Sequence, residues 1–130
     1  MEPNRIVVEI FLEKSSFKEV EKVAKALEEI GIKPILMPPE DRGINTHMVI
    51  EKSDLAKAKD KFKQLKVKAV DKEIIIITMV NTPGMMAEAA GKISARGINM
   101  NYAFSVPMTA SLSYVLLGTE NNDAALKALK

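Results

Sequence analysis

The chain has 130 residues, with 19 Lys and Arg against 17 Asp and Glu, for a formal net charge of +2. That length suits one domain or two small ones, and so weak a charge gives no argument for nucleic acid as a partner. The absence of cysteine excludes a disulfide framework, a thiol nucleophile and a thiolate metal site, and fits a reducing, cytoplasmic setting.

Residues 5–13 read as a strand rich in Val and Ile. Residues 6–12 are too short for a secretory signal and Glu9 interrupts them; no apolar run is long enough for a bilayer, so no membrane is expected. Ser16-Phe17-Lys18-Glu19 fits a capping box, a hydroxyl first and a carboxylate three residues later. Phe17, Val20, Ala24, Leu27 and Ile30 follow at helical spacing, with Val23 widening the stripe, and Gly31 is the stop. Residues 32–37 form a second strand, in which Pro34 argues for an edge position. Residues 38–43 are a turn and 44–51 a third strand. Ser53 caps a second helix whose apolar stripe is Leu55, Ala58, Phe62 and Leu65. Its other face carries Lys57, Lys61 and Lys63 with Asp54 and Asp60, the pattern of a solvated surface. Residues 67–70 read as a short fourth strand.

The cycle then restarts. Residues 73–80 form a strand, 83–96 a helix ending at Gly97, 98–105 and 112–118 two strands, and 123–130 a helix. A shift of 66 residues lays Gly31-Ile32 on Gly97-Ile98 and residues 48–50 on 114–116, one offset for several elements. The expectation is an α+β fold of two tandem ferredoxin-like (βαββαβ) copies, 1–70 and 71–130, each an antiparallel sheet with helices on one face. The second copy has no room for its last strand. Four consecutive isoleucines, Ile74 to Ile77, predict a strand covered on both faces.

Thr82 is a natural N-cap and Pro83 fits the first helical position. The amides of Gly84, Met85 and Met86 would then be open, with partial positive charge suited to a carboxylate. Asn81 lies ahead of this mouth and Asn99 follows eighteen residues later, at the start of the next strand. Carboxamides can accept from an ammonium and donate to a carboxylate, so the parts suit a zwitterionic amino acid. The intervening helix is some 20 Å long by its rise, so one copy is not expected to bring both asparagines to one small ligand.

The stretch "VNTPGMMAEAAGKISARGINM" resembles the ACT domain, a module that binds amino acids, through Asn81-Thr82-Pro83-Gly84 and Gly97-Ile98-Asn99. The two-copy layout is similar to tandem ACT proteins. The resemblance implies a stand-alone regulatory protein binding a free amino acid between ACT-type domains, with Asn81, Thr82, Gly84, Met85 and Asn99 as ligand-binding residues. It implies no catalytic residues, no metal and no cofactor, and an output passed to a separate effector enzyme or regulator. The same offset places Ser15 and Lys33 where the second copy has its asparagines, so the first copy's motif is degenerate. Met79 stands where some serine-binding members carry histidine.

Simpler readings stand beside these. Asn81 could only start an Asx-turn, Asn99 could only bond a neighbouring loop, and Met79, Met85, Met86 and Met100 could be core filler. His47 reads as a satisfied or solvated histidine. No Ser-His-Asp set or close carboxylate pair is visible, so no enzyme is expected. A homodimer is expected, to cover a sheet edge. The alternative is a protein-interaction module without a metabolite.

Overall fold

The computed structural model describes residues 4–12, 16–37 and 46–130. The chain divides into two compact units, Val8–Lys72 and Met1–Val7 with Glu73–Lys130. The boundaries fall inside strands β1 (Arg5–Leu12) and β4 (Ala69–Val80).

The unit of Val8–Lys72 holds α1 (Phe17–Glu29), β2 (Ile35–Leu36), β3 (Thr46–Glu51), a 3-10 turn (Lys52–Asp54) and α2 (Leu55–Gln64). Its strands run in the order β2-β3-β1, with β2 antiparallel to β3. Helix α1 starts at its sequence signal. Ser16 Oγ accepts from the Glu19 N–H at 3.2 Å and sits 3.4 Å from the Glu19 carboxylate. It also stops at its signal: Gly31 takes φ +83°, and the N–H groups of Gly31 and Ile32 donate to the carbonyls of Glu28 and Leu27. That is a Schellman ending, in which an αL residue satisfies two orphan carbonyls.

The apolar stripe of α1 differs from expectation. Phe17 is 86% exposed, whereas Val23, Ala26 and Leu27 are buried. The inward face follows the spacing of Val23, Ala26, Leu27 and Ile30, and Phe17 lies round the helix from it. Val23 and Leu27 pack with Val8, Ile10 and Leu12 of β1, Met48 and Ile50 of β3, and Ala58 and Phe62 of α2. Alternate residues of β1 and β3 thus face the helices. Glu9, Phe11 and His47 take the other face, where His47 Nδ1 lies 2.7 Å from Glu9 Oε1 and the rings of Phe11 and His47 are 4.8 Å apart. The histidine is thus held through Nδ1, the half of the expectation of a satisfied ring that this contact bears out.

Three further boundaries move. The second strand shortens to Ile35–Leu36, after Pro34 and at the end of the strand order. The second helix takes Asp54 as its N-cap after the 3-10 turn, and Ser53 does not cap it. The strands expected at 67–70 and 73–80 are one strand, β4. Residues 71–73, Asp-Lys-Glu, break the apolar pattern but contain no Gly, Pro or Asn to turn the backbone, and Asp71 pairs with Lys59 at 3.4 Å. The turn expected at 38–43 lies outside the described residues.

The second unit holds the 73–80 part of β4, α3 (Met85–Ser94), β5 (Met100–Pro107), β6 (Leu112–Thr119) and α4 (Asn122–Ala128). Its strands run β4-β6-β5, and both pairings are antiparallel. The opening of β1 groups with this unit, and Asn4 Oδ1 accepts from the Thr78 N–H at 3.3 Å. Ile75, Ile77, Val115 and Leu117 pack with Ala89 and Ile93 of α3 and Ala125 of α4. Ile74 and Ile76, on the opposite face, are equally buried, as the run of four isoleucines predicts. An α+β fold of ferredoxin-like type, antiparallel strands with helices packed on one face, follows from these pairings.

Candidate functional site

The loop after β4 is built by its own residues. Val80 pairs with Leu112, and the Asn81 N–H donates to the Ser111 carbonyl at 2.7 Å, ending the ladder. The Thr82 N–H turns back to the Val80 carbonyl at 2.8 Å. Pro83 and Gly84 then form a type II turn: Gly84 takes φ +83° and ψ 3°, and the Met85 N–H closes on the Thr82 carbonyl at 3.2 Å. Proline presets the first corner of such a turn, and glycine tolerates the positive φ of the second.

The helix mouth is therefore displaced from its expected place. Gly84, rather than Thr82, is the N-cap; Pro83 is in the turn and not at the first helical position. The Met85 amide is consumed by the turn. The first helical bond runs from the Glu88 N–H to the Gly84 carbonyl at 2.9 Å, so the amides of Met86 and Ala87 lie at the mouth, and no side chain caps them. Asn81, Thr82 and Gly84 are exposed at its rim and Met85 is half-buried. Met79, Met85, Met86 and Met100 pack against the core of this unit, in support of the simpler reading of the methionines.

Asn99 stands at the other end of the sheet. Met100 pairs with Thr119, and one step beyond that pair Asn99 meets Glu120. The Asn99 N–H donates to Glu120 Oε1 at 3.0 Å, its Nδ2 lies 3.5 Å from Glu120 Oε2, and its carbonyl accepts from the Glu120 N–H at 3.1 Å. Glu120 carries no signal of its own in the sequence; only the register of β5 on β6 reveals its place beside Asn99.

Asn81 neighbours Ser111 before β6, and Asn99 neighbours Glu120 after it. The length of β6 and one residue at each end separates them, about 30 Å at the rise of an extended chain. This unit brings Asn81, Thr82, Gly84 and Met85 together and leaves Asn99 at the far end, as the length of the intervening helix predicts. Among the described residues no group of three or more His, Asp or Glu could hold a metal, and no helix is long and apolar enough to cross a membrane.

No protein-family model matches the chain, and no curated protein matches it. Solved structures do. A protein of Bacteroides thetaiotaomicron is 23% identical, with a TM-score of 0.72 over 97% of this chain and 86% of the other. The regulatory subunit of aspartate kinase from Thermus thermophilus, in a ligand-free form, is 18% identical, with a TM-score of 0.67 over 98% and 95%. The corresponding subunit from Thermus flavus is also 18% identical, with a TM-score of 0.64 over 98% and 95%. The chain is similar in fold, over nearly its whole length, to these regulatory subunits of aspartate kinase.

Proposed function

We propose that the chain is a regulatory protein that binds a free amino acid at an interface between ACT-type domains. The observation that carries this reading is the Pro83-Gly84 turn, which leaves uncapped amides at the mouth of α3 beside Asn81. Those amides suit a carboxylate. Asn81 and Asn99 suit the ammonium of the same molecule. Because one unit holds them so far apart, the ligand is shared: the mouth comes from one copy of the chain and the Asn99 corner from a second copy in a homodimer. Binding fixes the two contributors in one relative orientation, and a separate effector enzyme or regulator in the cytoplasm reads the change. The chain itself performs no catalysis. The regulatory subunits of aspartate kinase supply the analogy for such a division of labour.

A thermal-shift panel of the twenty amino acids tests this. A ligand at 100 times its dissociation constant adds about 2.7 kcal/mol, a rise of several degrees. A flat panel overturns the reading. It would favour a protein-interaction module, for which β5, last in the order β4-β6-β5, offers an edge to pair with a partner strand.

A further inference from the structure

Glu120 follows the last residue of β6, and its carboxylate is held on both oxygens. Oε1 accepts from the Asn99 N–H at 3.0 Å, and Oε2 faces Asn99 Nδ2 at 3.5 Å. The Glu120 N–H returns a bond to the Asn99 carbonyl at 3.1 Å, so backbone and side chain close on one another. Both residues are exposed. Among the described residues no lysine, arginine or histidine pairs with Glu120. The result is an oriented negative charge with no cation of its own.

The acceptor inventory is specific. Each Glu120 oxygen has one hydrogen bond and a lone pair to spare, and Nδ2 of Asn99 is turned to Glu120, which leaves Asn99 Oδ1 as an acceptor. Three acceptors on two adjacent side chains match the three donors of a primary ammonium. A bare carboxamide offers an ammonium only a neutral acceptor, whereas a carboxylate makes a charge-assisted bond roughly twice as strong.

We infer that Glu120 is the counter-charge for the ligand's ammonium, and that Asn99 positions it. This rests on the amino-acid reading above and deepens it: the ligand must carry a free, protonated primary amine. Asn99 contributes by fixing the carboxylate and adding Oδ1, so the corner selects amino acids over their acylated forms.

The experiment uses the full chain and needs a variant for only one arm. Each of the twenty amino acids is titrated beside its N-acetyl derivative, first against the unaltered protein and then against Glu120→Gln. Glutamine keeps an acceptor for the Asn99 N–H, the shorter of the two contacts, and gives up the charge and the 3.5 Å contact to Asn99 Nδ2. A structural cap therefore survives it through its 3.0 Å bond. The expected result is an amino acid that binds, an N-acetyl form that does not, and a loss of at least about tenfold in affinity in Glu120→Gln with the ligand-free midpoint unchanged. Equal binding of the N-acetyl form, or unchanged affinity in Glu120→Gln, overturns the role of Glu120 and leaves the amino-acid reading standing. If no amino acid binds the unaltered protein, that reading falls and the inference falls with it.

Discussion

The ring of Tyr102 lies so close over Gly118 that a Cβ built on residue 118 would stand 2.6 Å from Tyr102 Cε1. The two residues face one another across β5 and β6. A glycine inside a strand ordinarily weakens it by about 0.5–1 kcal/mol relative to alanine. Here the sign should reverse, because the added methyl occupies the ring's place. Gly118→Ala is expected to lose about 1–3 kcal/mol, the usual cost of overpacking. In a Tyr102→Ala background the same change should be neutral or stabilising. A double-mutant cycle by denaturant unfolding reads the coupling directly; additive losses would mean that ring and glycine are independent.

Lys66 ends α2 at φ +57°, a left-handed conformation that lysine disfavours by about 1–2 kcal/mol. It stands where Gly31 stands at the end of α1. Its N–H donates to the Lys63 carbonyl at 3.1 Å, and the Val67 N–H to the Phe62 carbonyl at 2.9 Å. Lys66→Gly keeps both bonds and relieves the strain, against the extra freedom glycine gains when unfolded. A net stabilisation of about 0.5–1 kcal/mol is expected, read as a rise in the urea midpoint at constant slope.

His47 and Glu9 meet at 2.7 Å with side chains only 15% and 9% exposed. His47→Ala removes a partner from a nearly buried carboxylate and the ring against Phe11. A loss of about 2–3 kcal/mol is expected in denaturant unfolding, since a hydrogen bond to a charged group contributes about 1.5–3 kcal/mol. A loss below about 0.5 kcal/mol would show that the contact contributes little.

The parts of this structure written in local chemistry were legible. Ser16 and Gly31 mark the ends of α1 because a hydroxyl acceptor and a positive φ act on adjacent backbone alone. The burial of Ile74 to Ile77 was legible because apolar side chains on both faces of a strand demand cover on both. The continuity of β4 was not, since charge at Asp71 and Lys72 resembles a break while only backbone pairing decides whether a strand turns. The register of the helix mouth was missed for a different reason. Pro-Gly suits a helix start and a type II turn equally in sequence, and the bond from Met85 to Thr82 settles which forms. The partnership of Asn99 with Glu120 depends on pairing between β5 and β6 across 21 residues, which no local pattern encodes.

Gly84 joins the fold to the proposed function, and its substitution separates strain from space. Its φ is +83°, yet a Cβ there would meet nothing within 4 Å. Gly84→Ala therefore adds no clash, and any loss comes from forcing an L residue into the left-handed region, about 1–2 kcal/mol. The ligand-free midpoint should fall by roughly 3–8 °C. If the backbone relaxes instead, the Met85 N–H leaves the Thr82 carbonyl and the amides of Met86 and Ala87 lose their orientation. The amino-acid shift should then shrink while the sheet stays intact, as circular dichroism and amide exchange in β4 and β6 would show. An unchanged midpoint would show that the turn at Pro83-Gly84 needs no positive φ, and the preorganised mouth would go with it.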